Sequence, residues 1–163
     1  MRGKLTDLGL SILLAAMLAG PAWAESDKAF LSDALKGNNA EIALGKMAQE
    51  KGSTDAVRSF GAQLVADHSE AKTQATALAA KLRVQTTDQA TPQAKQGMAA
   101  LQALSGKEFD AAFLRAMIDE HRKEIAAVRD KAQEGKTETS KLAAQTLPVL
   151  EKHLKTAEEL SGQ

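Results

Sequence analysis

Alanine dominates this chain, and proline is almost absent from the part that follows residue 24. Of the 139 residues from Glu25 to Gln163, 27 are alanine, eight are valine or isoleucine, and only Pro92 and Pro148 are proline. Alanine loses the least free energy on entering a helix, whereas β-branched residues lose side-chain rotamers there. The chain is therefore predicted to be all-α, with helices that end at short breaks rich in glycine, serine and threonine.

These breaks divide the chain into four main helices and one short helix. The main helices are predicted over residues 27–51, 54–84, 107–134 and 137–160, and the short helix over residues 92–104. Thr91-Pro92 fits an N-cap followed by proline at the first helical position, and Gly135 fits a C-cap glycine. Apolar residues recur every three or four positions in each main helix, which is typical of helices that pack side by side. The sequence predicts a four-helix bundle with one short extra helix in the long connection.

Two positions predict departures from straight helices. Gly37 is a point where the first helix either kinks or restarts. Pro148 removes one backbone hydrogen bond inside the last helix and is expected to bend its axis one turn before His153. That bend either aims His153 or is tolerated curvature, and the sequence leaves both interpretations open.

The N-terminal residues have the pattern of a secretory signal peptide. Arg2 and Lys4 precede an apolar run from Leu8 to Ala19, and the small residues of Ala22-Trp23-Ala24 end it. The run has 12 residues, fewer than the about 20 that span a bilayer. We therefore expect removal of residues 1–24, a single domain over residues 25–163, a periplasmic location and no transmembrane segment.

The composition after residue 24 excludes several classes of function. There are 19 basic and 20 acidic side chains, four Phe, and no Trp, Tyr or Cys. A balanced charge gives no basic face for nucleic acid or for anionic lipid. Without cysteine, an exported protein has no disulfides, so its core or a metal must hold it together. An envelope protein or a second copy of the chain stays open as a partner.

Each of the three histidines falls on the apolar face of a different main helix. His68, His121 and His153 have these positions in the last three main helices, and Glu41 has the same position in the first. Counted from the turns, His121 and His153 differ by about 6 Å along the axis, and Glu41 and His68 by about 7.5 Å. The pattern predicts one ionisable residue from every main helix in the interior, within about one turn of each other.

Burying such groups without partners is costly, so the layer requires hydrogen bonds, an ion pair or a metal ion. One hypothesis is a metal site, because imidazole and carboxylate suit Zn, Cu, Mn or Fe. Met47 or Met117 would add a soft donor for copper. The other hypothesis is that neutral histidines are hydrogen-bonded by neighbouring Glu, Asp or Thr and that Glu41 pairs with one of them. The candidate metal ligands are Glu41, His68, His121 and His153.

Three acidic residues beside the histidines are candidates for a supporting role. Asp67 and Glu120 each precede a histidine by one residue, which is about 100° around the helix. They are expected to face solvent or to bond a neighbouring helix. Glu124 follows His121 by three residues and shares its flank, so it is the better placed partner.

Several short motifs resemble a family of exported bacterial proteins. The motifs are Asn39-Ala40-Glu41-Ile42, Val57-Arg58-Ser59-Phe60-Gly61, Val65-Ala66-Asp67-His68, Phe109-Asp110, Met117-Ile118-Asp119-Glu120-His121, Leu147-Pro148 and His153-Leu154. Together they are similar to the domain of unknown function 4142 family, which is grouped with ferritin-like folds and often labelled predicted outer membrane protein. The resemblance covers nearly the whole chain after residue 24 and implies a ferritin-like four-helix bundle. Gly61 and Glu120 depart from the usual residues of the family.

The resemblance implies no particular activity, because the family has no established one. Ferritin-like di-iron sites place Glu-x-x-His on two helices, whereas Val65, Ile118 and Leu150 stand three positions before the histidines. The di-iron pattern is therefore absent, and a mononuclear site stays open. Two hypotheses remain: an exported bundle that binds or senses a metal, and a structural or partner-binding module of the envelope. A hydrolase or transferase would need an activated nucleophile and is not expected, because the chain has no cysteine and Ser69 directly follows His68, pointing elsewhere on the helix.

Overall fold

The computed structural model describes residues 22–162, in which five helices and no strand are found. The helices are α1 (Ala22–Lys51), α2 (Asp55–Leu82), α3 (Pro92–Gln102), α4 (Gly106–Gln133) and α5 (Glu138–Ser161). The predicted signal peptide lies outside the described residues, except for its last three positions, which begin α1. No helix within residues 22–162 has the length and hydropathy needed to cross a membrane. The all-α prediction is confirmed.

Local signals in the sequence explain where the helices begin and end. Thr54 and Thr91 cap α2 and α3 by accepting hydrogen bonds from backbone N–H groups three residues later, and Thr137 does the same for α5. Gly135 adopts a φ of 65° just past the end of α4, a conformation that glycine reaches without strain. Both α1 and α5 are continuous helices, through Gly37 and Pro148 respectively.

The main helices form two antiparallel hairpins. In the first hairpin, Gly45 of α1 lies directly against Gly61 of α2: a Cβ atom on Gly61 would come within 2.6 Å of the Gly45 carbonyl oxygen. In the second, Arg129 of α4 pairs with Glu151 of α5. The two hairpins contact each other through α2 and α5. These helices run antiparallel, because Lys81 at the end of α2 pairs with Glu138 at the start of α5. The connection between α2 and α4 contains α3 and runs from one end of the molecule to the other. This arrangement is compatible with the predicted bundle.

Apolar residues pack in groups at the two ends of the molecule, with polar residues between them. One end holds the largest cluster, with Phe60, Phe109, Phe113 and Met117. The other end holds two smaller clusters, one around Leu31 and Leu78 and the other around Ile125 and Leu150. Between these ends, every main helix contributes a buried polar residue. We call this the polar layer; its buried members are Asn38, Glu41, His68, His121 and His153. Ala111 lies three residues before the buried Leu114 and so has an apolar position in the periodicity of α4, but it is exposed.

Candidate metal centre

Three imidazole rings, from α2, α4 and α5, meet inside the polar layer. His68, His121 and His153 are at most 3% exposed, and the centroids of their rings lie 5.3 to 5.8 Å apart. One ring nitrogen of each histidine lies within 4.8 Å of the corresponding nitrogens of the other two. The helices thus place three nitrogen atoms around one point in the interior.

The outer nitrogen of His68 is held by Asn38 of α1. The Asn38 Nδ2 group donates to the Ala34 carbonyl oxygen at 2.8 Å, which fixes the orientation of the amide. Its Oδ1 atom therefore faces His68 Nδ1 at 2.9 Å and accepts a hydrogen bond from it. This hydrogen bond assigns the proton of neutral His68 to Nδ1. The Nε2 atom then carries a lone pair, and it is buried without a hydrogen-bond partner among the described residues.

The other two histidines are held in the same manner. His121 Nδ1 lies 2.9 Å from the Met117 carbonyl oxygen, which only accepts, so the proton of neutral His121 resides on Nδ1. His153 Nε2 lies 2.8 Å from Asp67 Oδ2, and a carboxylate also only accepts, so the proton of neutral His153 resides on Nε2. Each outer nitrogen therefore donates to an oxygen atom, and each inner nitrogen is left without a proton.

This assignment turns lone pairs towards each other. His121 Nε2 and His153 Nδ1 lie only 3.3 Å apart, with no proton on either atom to form a hydrogen bond. Two nitrogen ligands of a tetrahedral zinc ion, each at about 2.0 to 2.1 Å from it, are about 3.3 to 3.4 Å apart. The separation of this pair therefore equals that of two ligands of one ion, and the ligand nitrogen of His68 lies within 4.8 Å of both. A histidine that donates its outer N–H to an oxygen is also the usual arrangement of a metal ligand.

Neither a proton nor a single water molecule satisfies the three lone pairs. Burial, and then the charges of His121 and His153, lower the pKa of His68 to about 3. Burial and His153 lower the pKa of His121 to about 4, against the effect of its backbone hydrogen bond. Burial also lowers the pKa of His153, although Asp67 opposes this. All three rings are thus neutral near pH 7, and one water molecule has two protons for three acceptors.

The fourth sequence-predicted ligand, Glu41, lies in the polar layer but outside the group of three nitrogens. It is 5% exposed, and its Oε2 atom is buried without a hydrogen-bond partner in the described part of the chain. Burial, followed by the charges of Glu124 and Glu120, raises the pKa of Glu41 well above its usual value. Burial and Glu120 raise the pKa of Glu124 to about 7. Glu41 therefore keeps its proton at a higher pH than an exposed carboxyl group does.

Of the three acidic neighbours that are candidates for a supporting role, only Asp67 bonds a histidine within residues 22–162. Asp67 bonds His153 of a neighbouring helix, one of the two expectations for it. Glu120 is exposed and pairs with Lys123 at 2.9 Å. Glu124 is half-buried and has no hydrogen bond or ion pair to another residue within 22–162. Sequence reasoning missed Asn38, although it lies three residues before Glu41 and therefore on the same face of α1.

The metal-free protein is expected to lose stability in acid, most clearly below pH 4.5. An unfolded histidine is protonated near pH 6.5, whereas folded His68 and His121 are protonated only at about 3 and 4. A lowered pKa in the folded state gives stability that is complete above pH 6.5 and is lost as the pH falls through the folded value. Glu41 and Glu124 act in the opposite direction between pH 7 and 4.5, because the folded state binds their protons more tightly.

Urea denaturation of chelator-treated protein checks this prediction. Below pH 4.5, the free energy of unfolding should fall by about 1.4 kcal/mol per pH unit for each histidine that is still neutral in the folded state. The matched control is His68→Gln, which removes one titrating ring and should reduce the slope by that amount. Equal slopes for the two proteins would contradict the prediction.

Comparison with known protein families gives one match. Residues 14–160 match the family model described as "Domain of unknown function (DUF4142)". No curated protein and no solved structure matches this chain.

Proposed function

Because this chain belongs to the family of domain of unknown function 4142, whose name states no activity, we propose a function from the geometry of the three histidines. The chain binds one first-row transition-metal ion through His68, His121 and His153. The observation that carries the proposal is that one ring nitrogen of each histidine lies within 4.8 Å of those of the other two in the interior. The other ring nitrogen of each histidine donates a hydrogen bond to an oxygen atom of Asn38, Met117 or Asp67. Imidazole nitrogen suits zinc, copper, iron and nickel, and three such ligands leave a fourth position for water or another ligand.

The setting of the site supports a role in holding or sensing a metal. The three ligands come from three helices and are buried, so the geometry is fixed by the packed core. We propose that the domain is a ferritin-like four-helix bundle exported to the periplasm, with the histidines between the two ends of its core. Cleavage after Ala24 would place the mature N-terminus at Glu25, close to the buried Asp27.

Elemental analysis tests this proposal. The untagged chain is purified from the periplasm without chelators, because a polyhistidine tag or EDTA would change the metal content. One equivalent of a transition metal is expected per chain, and a triple variant, His68→Gln, His121→Gln and His153→Gln, should contain none. Zn²⁺, Cu²⁺, Mn²⁺ and Fe²⁺ are then added separately to the metal-free protein, and the shift in melting temperature is measured for each.

The absence of metal, together with the absence of any thermal shift, would overturn the proposal. The three rings would then be a hydrated structural layer, and the alternative function would be a structural or partner-binding module of the envelope. A metal that is retained by the triple variant would also contradict the assignment, since it would bind elsewhere on the chain.

A further inference from the structure

The oxygen atoms that hold the three histidines differ in charge and in exposure. His68 is held by the amide of Asn38, which is neutral and buried, and His121 is held by a buried backbone carbonyl oxygen. His153 is held by the carboxylate of Asp67, whose side chain is 34% exposed. Among the described residues, Asp67 is therefore the one acidic group that bonds a histidine ring, and it is the most exposed of the three partners.

The Asp67 carboxylate keeps one oxygen atom free for a cation. Its Oδ2 atom accepts hydrogen bonds from His153 Nε2 at 2.8 Å and from Gln63 Nε2 at 3.5 Å. Within residues 22–162, no group donates to Oδ1, and no Lys or Arg pairs with this carboxylate. Carboxylate oxygens are ligands of divalent ions. A hydrated ion in solvent can therefore contact Asp67 while the hydrogen bond to His153 is kept.

Asp67 lies where the two hairpins contact each other. It extends from α2, and the ring that it holds extends from α5, so their hydrogen bond joins one hairpin to the other. The Nδ1 atom of the same ring lies 3.3 Å from His121 Nε2. The His153 ring therefore lies between the exposed carboxylate of Asp67 and the buried ring of His121.

The connection that follows α2 covers the outer side of the first hairpin. Asn39 of α1 donates to the backbone carbonyl oxygens of residues 87 and 89, and Lys72 of α2 pairs with Asp88 at 2.8 Å. Asn39 directly follows the residue that holds His68, and Lys72 lies one turn after His68. The connection thus bridges α1 and α2 at the level of the polar layer, whereas Asp67 is open to solvent.

We propose that Asp67 is the entry point of the three-histidine centre, where a divalent ion from solvent binds between α2 and α5 before it reaches the ring nitrogens. This inference rests on the proposed function, because it assigns the route by which that centre is filled. A negative charge at the opening of a site raises the local concentration of cations and their rate of association. The ion passes to the nitrogens as the His153 ring rotates, and the hydrogen bond to Asp67 then returns the ring to its place.

The rate of Co²⁺ uptake tests this inference. Co²⁺ absorbs visible light when nitrogen ligands bind it, so stopped-flow mixing with the metal-free protein follows uptake directly. In Asp67→Asn, the amide oxygen can still accept the hydrogen bond from His153, but the charge is lost. Uptake by this variant should be slower by at least about tenfold, while the absorption bands keep their wild-type positions because the three ligands are unchanged. Asp67→Glu restores the charge and should recover most of the rate.

The salt dependence of uptake separates entry from a purely supporting role. Uptake by wild-type protein should slow as NaCl is raised from about 20 mM to about 200 mM, because salt screens the attraction of the ion to Asp67. Uptake by Asp67→Asn should depend less on salt. A residue that only orients His153 would change the rate of Co²⁺ release but neither the rate of uptake nor its salt dependence, and that result would overturn the inference.

A matched control separates a built entry point from general acidity. Glu70→Gln removes one negative charge from the next turn of α2, but this carboxylate is exposed and bonds only Gln74 within the described residues. The variant should take up Co²⁺ within about threefold of the wild-type rate. If wild-type protein binds no Co²⁺, the histidine centre is wrong, and the entry route with it. If Co²⁺ binds but enters Asp67→Asn as fast as wild type, or if Glu70→Gln slows uptake equally, the entry route alone is wrong.

Discussion

Replacing His121 with Ala should weaken Zn²⁺ binding by more than about 100-fold. Loss of a supporting residue around a metal typically costs about 10- to 100-fold in affinity, and loss of a direct ligand should cost more. His121 is fully buried, and its ring borders those of both His68 and His153. Alanine leaves two nitrogens and a cavity in place of the third ligand. The affinity is measured by competition with a chromophoric zinc chelator at pH 7.5.

A control for packing is needed, because the same substitution also removes a buried ring. Ile125 lies one turn after His121 on the same helix and is buried in an apolar cluster. The variant Ile125→Ala should lose about 2 to 5 kcal/mol of stability but keep its zinc affinity within about threefold, because it removes no nitrogen ligand. Similar affinities for wild-type protein and His121→Ala would refute the three-histidine centre.

Replacing Asp27 with Asn should lower the free energy of unfolding by about 3 kcal/mol. The Asp27 carboxylate lies 2.7 Å from Lys131 Nζ, and both side chains are only 3% exposed. Hydrogen bonds to Asp27 and Glu134 raise the pKa of Lys131, although burial opposes this. Removal of one partner from a buried ion pair leaves the other charge incompletely compensated. Glu134 and the Ser26 hydroxyl group still contact the ammonium, which limits the loss.

Urea denaturation of the chain that begins at Glu25 measures this effect. The control is Glu138→Gln, which breaks the exposed pair between Lys81 and Glu138 and should change stability by no more than about 1 kcal/mol. A loss for Asp27→Asn as small as that of the control would contradict the assigned role. The buried pair would then contribute to neither the attachment of the N-terminal turn nor the stability of the domain.

The helices could be predicted from the sequence because their signals are local. Thr91-Pro92 and Gly135 act within one turn of the helix that they begin or end, so no knowledge of packing is required. The beginning of α1 at Ala22 was not predicted, because residues 22–24 were assigned to the signal peptide. The burial of His68, His121 and His153 followed from the periodicity of each helix alone.

The partners of the histidines could not be predicted, because they depend on how the helices are aligned. Asn38 meets His68 only when α1 and α2 adopt one particular register. The acceptor of His121 is a backbone carbonyl oxygen, which no side-chain pattern reveals. The turn counts placed Glu41 and His68 about one helical turn apart, and Glu41 indeed lies outside the group of mutually close ligand atoms. Sequence periodicity therefore finds which side chains enter a core, but not which of them touch.

The division of the three histidines between the hairpins has a consequence for how the protein assembles. His121 and His153 belong to the α4–α5 hairpin, whose contact is local in the chain, whereas His68 arrives from α2, on the far side of a long connection. Local contacts form early in folding and distant ones later, so the three histidines come together only after the hairpins have docked. An ion bound by all three histidines would link the two hairpins to each other. It would therefore slow the separation of the hairpins more than it would stiffen either one.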